Sequence, residues 1–588
     1  MQFTIRQRKQ LLLCSMLVGG MIPWTTAVAG TCSQAGSTVT CTGAANSASD
    51  TQQTFLGLPD GAVVDVNGGI DTSASAAHTA ALALDAQGAL TVTIADVGEL
   101  IGSNYGLAIR GTGDVAVTNG GLITSANNDG IYALVNDGSV QITNNGTVAG
   151  ATTGINVQAY GDGAVTVQTG AGSSTTAGPA QTVAAVSTNP WGEPDMIDPG
   201  DNEIFASAGI LVTKWSDSGD VTITTGADSE VSGINGIVAG NHGTGNTYVT
   251  VGDGAIVSGM GPDQDYSIAA IGGAGISVQN DFEAGEILIK TGTGSIINAT
   301  AAASDMAPFG IAAQSIARAP ITIITGTDSY VAASAFGILA QVGAGDTNIT
   351  TGNGSTVDAA ISGIVSVGNT DLTINVGDDG LVQGKWTGIT SAGFGDVTVT
   401  TGTGSQVIGS GGFDPADMPP GFTDLGELPA IPYGVPLELT TLPASGIKIM
   451  AGGKLEPFNP DKLELPTRYS PLTVTVTTGK DSLVQGEGTL ANGIDIITVG
   501  ADTATIRVAT GENSQVFGGD GIMFGPGGMG AGISVMGFGI LGADVAIDTG
   551  KNSLIEGGGA GILAIMGSDF QPSSMRITTG AGSIVRGS

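Results

Sequence analysis

The sequence predicts an all-β protein, a right-handed parallel β-helix of rungs about 25 residues long with loop insertions. Three observations predict it: a strand-and-turn composition, a recurring Thr-Gly segment, and a Gly-Ile marker that keeps the same register. Of 588 residues 99 are Gly, 41% are hydrophobic and only 12% are charged. That is too apolar for a disordered chain, and the strict Gly-X-Y period of collagen is missing. The abundance of Thr, Val, Ile, Gly, Asn and Asp favours strands and turns.

The repeat is the strongest signal. The segment Asp396-Val397-Thr398-Val399-Thr400-Thr401-Gly402-Thr403-Gly404-Ser405-Gln406-Val407-Ile408-Gly409 has related copies beginning at Asp220, Glu286, Ile321, Asp544 and Met575. Its closing glycines, Gly326, Gly352, Gly377 and Gly402, step by 26, 25 and 25 residues, and the equivalent positions Gly120, Asn145 and Gly170 step by 25 and 25. Gly337, Gly363 and Gly388, each followed by Ile, step by 26 and 25.

Each unit has room for three short strands. In the first, Val397 and Val399 face inward and Thr398 and Thr400 outward. Gly402 and Gly404 mark the turn, where positive φ is cheap for glycine. Ser405–Ile408 forms the second strand, and the Gly-Ile segment opens the third. A lone unit cannot bury its inward face, so units must stack. Crossover chirality then favours the right hand. About fifteen units at roughly 4.8 Å each make a rod on the order of 70–90 Å long with a narrow, dry core.

Along the chain, residues 1–29 read as a signal peptide. Arg6, Arg8 and Lys9 precede the apolar run Leu11–Val18, which is shorter than a bilayer span, and Ala27-Val28-Ala29 offers small residues for cleavage between Ala29 and Gly30. Residues 30–90 hold the N-terminal cap and first rungs. Cys14 leaves with the signal, so Cys32 and Cys41 are expected to form a small-loop disulfide in an oxidising compartment. Rungs follow over 91–182, then an acidic Pro/Trp insertion at 183–206, then rungs over 207–409. Residues 410–470 are expected to be a Pro-rich insertion: eleven of the 22 prolines lie between Pro415 and Pro471. There the step from Gly402 to Gly479 is 77 residues, roughly three periods, with Ser445-Gly446-Ile447 suggesting one degenerate rung inside. Rungs resume over 471–588 and stop mid-repeat. Proline cannot donate to a sheet ladder, so both insertions should project as loops.

The charge excludes a function class. The whole chain carries −35, and removing residues 1–29 leaves 14 basic against 52 acidic residues, a net charge near −38. Such a chain repels nucleic acid and anionic lipid.

Catalytic and metal sites find little support. His78 and His242 lie in separate units without a nucleophilic-serine context, so both read as structural or surface residues. Asn369-Thr370-Asp371 and Asp378-Asp379 superficially match carboxylate motifs of β-helical polysaccharide hydrolases. The repeat explains them better: Asp371 sits at the turn position of Asp220 and Asp396, and Asp378 follows Val-Gly as Asp253 does. Gly518-Gly519-Asp520-Gly521 is a single echo of a calcium nonapeptide and is not assigned as a site. With three tryptophans left after cleavage, an extended aromatic sugar platform is not expected, although Trp191 and Trp386 offer local contacts. No catalytic, cofactor-binding or metal-binding residue is assigned.

The cleavable signal, the early cysteine pair Cys32 and Cys41 followed by Thr42-Gly43, and the degenerate Gly/Asn/Thr-rich rungs resemble the passenger region of type V secretion autotransporters. The resemblance covers residues 30–588 and rests on pattern and composition rather than an invariant motif. It implies export through the periplasm to the outer-membrane surface or extracellular space of a Gram-negative bacterium, by way of a C-terminal outer-membrane barrel. Closely spaced cysteines suit that route, since a large disulfide loop would obstruct the pore. It further implies a non-enzymatic role in adhesion, autoaggregation or biofilm formation, with a host or bacterial surface receptor as partner, or self-association. No barrel strands are visible before Ser588. The expectation is that further rungs, a cap and a barrel are encoded downstream. A two-partner-secretion exoprotein is the nearest alternative, although its Asn-Pro-Asn segment is absent. A glycan- or peptide-cleaving enzyme on the same scaffold is the alternative from another class.

Overall fold

The computed structural model describes residues 29–75, 80–178, 207–215, 218–259, 273–281, 284–299, 309–316, 318–411, 444–454, 469–520, 530–568 and 571–587. The signal segment before Ala29, most of the two expected insertions, His78 and Trp191 lie outside the described residues. No helix occurs among the described ones.

The chain is a parallel β-helix with three faces. The first face contains 18 strands, from Thr31–Ala35 to Ser574–Thr579. The second contains 16, from Gly69–Asp71 to Ile584–Gly587, and the third contains 16, from Gln53–Leu58 to Ala560–Ser568. Seventeen first-face strands stack in parallel, spanning about 77 Å at ~4.8 Å per step.

Alternation makes the first face. In Val397–Thr401 both valines are buried while Thr398 and Thr400 are half-buried, and the strand pairs residue for residue with Leu372–Val376. The inward Val, Ile, Leu and Ala side chains of all three faces join one apolar core running the length of the molecule. Burying each Val or Ile contributes roughly 1.5–3 kcal/mol, so a rung is held mainly by the rung on either side of it.

The Thr-Gly marker turns out to be a stacking contact. Thr401 Oγ1, buried, accepts a hydrogen bond from the Gly479 N–H of the next rung at 3.1 Å. The same bond joins Thr325 to Gly352 at 3.2 Å and Thr351 to Gly377 at 3.2 Å. The two turn glycines serve different ends, contrary to the expectation that both supply positive φ. Gly404 has φ +68°, whereas Gly402 is excluded from bearing a side chain because a Cβ would lie 2.5 Å from Asp378 N. Where Gly404 has no glycine counterpart, Asp228, Asp328, Asp379, Asp481, Asn513 or Asn552 takes the left-handed conformation, as Asp and Asn tolerate best.

The turn aspartates also join rungs. Asp371, Asp396 and Asp378 accept hydrogen bonds from the backbone N–H groups of Asp396, Thr473 and Thr403 one rung on, at 2.9, 2.7 and 2.7 Å. Asp220 and Asp253 do the same for Asn246 and Thr293, at 2.8 and 2.7 Å.

At the N-terminus Thr31–Ala35 folds back antiparallel on Thr38–Thr42, with Cys32 opposite Cys41 and their sulfurs bonded. The Asp50 carboxylate gathers the backbone N–H groups of Gly30, Asn46 and Asp71 at 3.0, 2.8 and 2.9 Å, and Ala29 bridges to Ala44. In the last described rung Ile577 and Val585, which pair with the buried Ile547 and Ile555, are exposed.

One part of the sequence reading is corrected. The 77-residue step is a single rung. Val397–Thr401 pairs directly with Leu472–Thr477, and Ser445–Gly452 is a complete third-face strand between Thr387–Phe394 and Asn492–Ala501. Residues 412–443 and 455–468 flank that strand, so 410–470 is not one insertion. Strand pairing fixes the rung, while the connection between second and third faces varies in length without disturbing register. The intervals 179–206, 260–272, 300–308 and 521–529 fall at the same place in the chain order.

Candidate functional site

Side chains that carry chemistry gather along the third face. Its strands begin with Gly-Ile or a close variant, and counting from that glycine locates them. In many rungs the residue before the glycine and the one two after it (Asp129 and Lys448, for example) lie on the outer side yet are buried. The residue six after it stands outside, at the corner where the third face hands over to the first.

The first cluster surrounds Asp129. Its carboxylate accepts hydrogen bonds from Thr152 Oγ1 at 2.7 Å and Asn156 Nδ2 at 2.9 Å. Desolvation outweighs these bonds and pushes its pKa up to about 6. Asn128 Nδ2 donates to Tyr105 Oη at 2.8 Å, and the Tyr105 and Tyr132 rings lie 5.5 Å apart. The buried Asn104 amide has no hydrogen-bond partner at either end.

A second cluster joins Lys448 to Asp495, the residues two after Gly446 and Gly493. The two are 1% and 3% exposed, and Nζ lies 3.4 Å from Oδ2. The ammonium stands 6.0 Å from the Trp386 ring centre, while Asp495 Oδ1 has no hydrogen-bond partner. Trp386 itself is buried, so it is not the accessible contact the sequence suggested.

The third group is accessible. Ala159, Lys214, Asn241 and Asn280 stack in register, and the next residue in each strand is Tyr160, Trp215, His242 or Asp281. Ladder bonds continue one residue further and pin these positions. Trp215, His242 and Asp281 N–H groups donate to Ala159, Lys214 and Asn241 carbonyls at 2.8, 2.9 and 3.0 Å. Beneath them Lys214 Nζ donates to Gly161 O at 2.8 Å, and Asn241 and Asn280 donate to Gly245 O and Gly285 O at 2.8 Å. Burial lowers the Lys214 pKa, opposed by Asp162.

On that base the Trp215 and His242 rings stack 4.3 Å apart at 6°, and Tyr160 lies 6.4 Å from Trp215 at 13°. His242 Nδ1 is 2.5 Å from Asp281 Oδ2. Tyr160 and Trp215 are 47% and 41% exposed. His242 is bonded to a carboxylate, and no serine or threonine hydroxyl hydrogen-bonds to it among the described residues. The arrangement is suited to binding.

The residues singled out from sequence do not converge. Cys32 and Cys41 close the N-terminal hairpin, and Ala29 and Gly30 lie beside it. The turn aspartates are spread along the rod, with Asp371 also meeting Lys454 at 2.7 Å. Arg110 pairs with Asp85 at 3.2 Å. No group of three or more potential metal ligands gathers among the described residues. A recess lined by residues including Thr347, Ser391 and Phe394 has a volume of about 10 Å³, the room of a single water. Sequence reasoning missed the aromatic stack, although a fixed offset from Gly-Ile reveals it: Tyr160, Trp215, His242 and Asp281 each come six residues after Gly154, Gly209, Gly236 and Gly275.

No family model, no curated protein and no solved structure matches this chain.

Proposed function

We propose that this chain is an exported autotransporter passenger, a surface-displayed rod acting as an adhesin or autoaggregation factor rather than an enzyme. The observation that carries the reading is the exposed Tyr160–Trp215–His242 stack, held in register on a solenoid. Large aromatic side chains half open to solvent cost solubility unless a partner uses them, and they are among the residues that dominate binding surfaces. A stacked solenoid suits presentation of such a surface away from a membrane. The signal-like N-terminus and the closely spaced disulfide fit an export route.

The test is display of residues 1–588 on a non-adherent Gram-negative bacterium, fused to an outer-membrane barrel. Autoaggregation or attachment to a cell or abiotic surface should rise above that of cells displaying the barrel alone, and the exported chain should begin at Gly30. No gain in any attachment assay, together with hydrolysis of a polysaccharide or peptide, would instead establish the enzyme reading.

A further inference from the structure

Beside the aromatic row runs a second row. The residues four after the same glycines, Gln158, Thr213, Gly240, Gln279, Gln314 and Gln341, stack in register over six consecutive rungs. Gln279 is exposed and the other three glutamines are half-buried. In-register glutamines can pair their amides into a ladder along the stacking direction. These do not: none of the four side chains hydrogen-bonds to another described residue. Gly240 leaves the row without a side chain beside the imidazole, where a Cβ would stand in ordinary contact with His242 Nε2 at 3.6 Å. Six rungs span about 24 Å.

We propose that these two rows form a binding strip for a neutral polysaccharide, with the solvent-facing side of the Tyr160–Trp215 stack lying along the sugar chain and the glutamine amides bonding to hydroxyls. The identity of the ligand rests on the adhesin reading above, but the strip can be tested apart from it. Amides donate and accept, so they match hydroxyls that do both. Tyr and Trp each combine a large apolar surface with one polar handle, so the outer side of the stack offers both to a sugar chain. Charge decides against sulfated or uronic glycans. The chain carries −35, Asp281 borders the strip, and Lys214 beneath it is buried and committed to Gly161 O. The length of the rows calls for an extended chain rather than a single sugar.

The experiment is co-sedimentation of the purified secreted chain with insoluble cellulose, β-1,3-glucan and starch, and retention on immobilised chondroitin sulfate as the anionic comparison. At least one neutral polysaccharide should retain the protein, with little retention on chondroitin sulfate. Trp215→Ala should weaken retention roughly tenfold, as removal of a central aromatic anchor does. The double variant Gln279→Ala/Gln314→Ala should weaken it severalfold, and Trp215→Tyr should preserve most of it. Circular dichroism of each variant checks the fold, and the glutamine variant carries the test if Trp215→Ala does not fold. Retention by no neutral polysaccharide, or retention indifferent to both substitutions, overturns the proposal. Tighter binding to chondroitin sulfate overturns it too. So does a Trp215→Ala chain that loses only self-association in sedimentation velocity, which would make a second copy the occupant. Cells displaying Trp215→Ala that still attach as well as wild type would leave the adhesin reading standing while the strip falls.

Discussion

The first and third faces belong to the same rungs and form the same kind of parallel ladder, yet they treat their outer surfaces differently. In Leu472–Thr477 buried and half-buried residues alternate, so Thr473 and Thr475 meet water. In Ser445–Gly452 seven of eight residues are buried, including the outward Lys448. On the first face any small polar outward residue is solvated and unremarked. On the third an outward residue near the start of the strand is commonly small or apolar, as Ala108, Leu211 and Ala312 are, and a charge there must be answered, as Lys448 is by Asp495. Backbone pairing sets the rung. Solvent access to its outer side decides where unusual electrostatics arise.

That contrast can be broken most forcefully inside the core. Val399→Asp should cost about 5 kcal/mol or more by burying an unpaired carboxylate, whereas Thr398→Ala, one residue away and outward, should stay within about 0.5 kcal/mol. Denaturant titration followed by circular dichroism would measure both, and similar losses at the two positions would refute the assigned alternation.

The buried pair on the third face should come next. Lys448→Met leaves Asp495 charged, buried and unpaired, and should cost roughly 3–5 kcal/mol. Lys448→Met with Asp495→Leu should recover most of that loss. A single variant as stable as the parent would mean that water reaches the pair.

Asp129 gives the contrast a pH dependence. Its carboxyl titrates near 6 in the folded chain against 3.8 for the group in water. Folding therefore favours the protonated form. That stabilisation is complete below about pH 3.8 and is lost as pH rises through about 6. The gap corresponds to at most ~3 kcal/mol between pH 4 and pH 7. Asp129→Asn should flatten that part of the stability profile. An unchanged slope would mean that the carboxyl is already hydrated.

The smallest effect expected is in the Thr-Gly column. Thr401→Val removes the acceptor for Gly479 N–H while keeping the shape, and should cost about 1–2 kcal/mol. Hydrogen exchange at Gly479 should accelerate in the variant. Unchanged protection would show that the threonine matters only for packing.

Much of the fold was legible because each rung repeats the same local conflict. Val397 and Val399 cannot be buried without a neighbour, and Gly402 cannot carry a side chain against the rung before it. Both demands recur wherever a rung recurs, so they print a period. The candidate strip was harder to read. Tyr160, Trp215, His242 and Asp281 are 55, 27 and 39 residues apart, because the connections between second and third faces differ in length. Counting residues along the chain scatters them, and counting from Gly-Ile gathers them. Lys448 and Asp495, 47 residues apart, were hidden in the same way.

The sequence by itself determined the three-strand rung, its inward and outward residues and the early cysteine pair, since alternation, turn chemistry and close spacing are local properties. It also showed that Asp371, Asp378 and Asp396 belong to turns. Only the tertiary structure decided that the 77-residue step is one rung, that Gly402 and Gly404 are glycines for different reasons, and that the outer side of the third face is largely closed to water where its strands begin. Stacking converts equal offsets within strands into contact between residues that share no period. That is why a buried lysine finds its aspartate and three scattered aromatic residues form one strip.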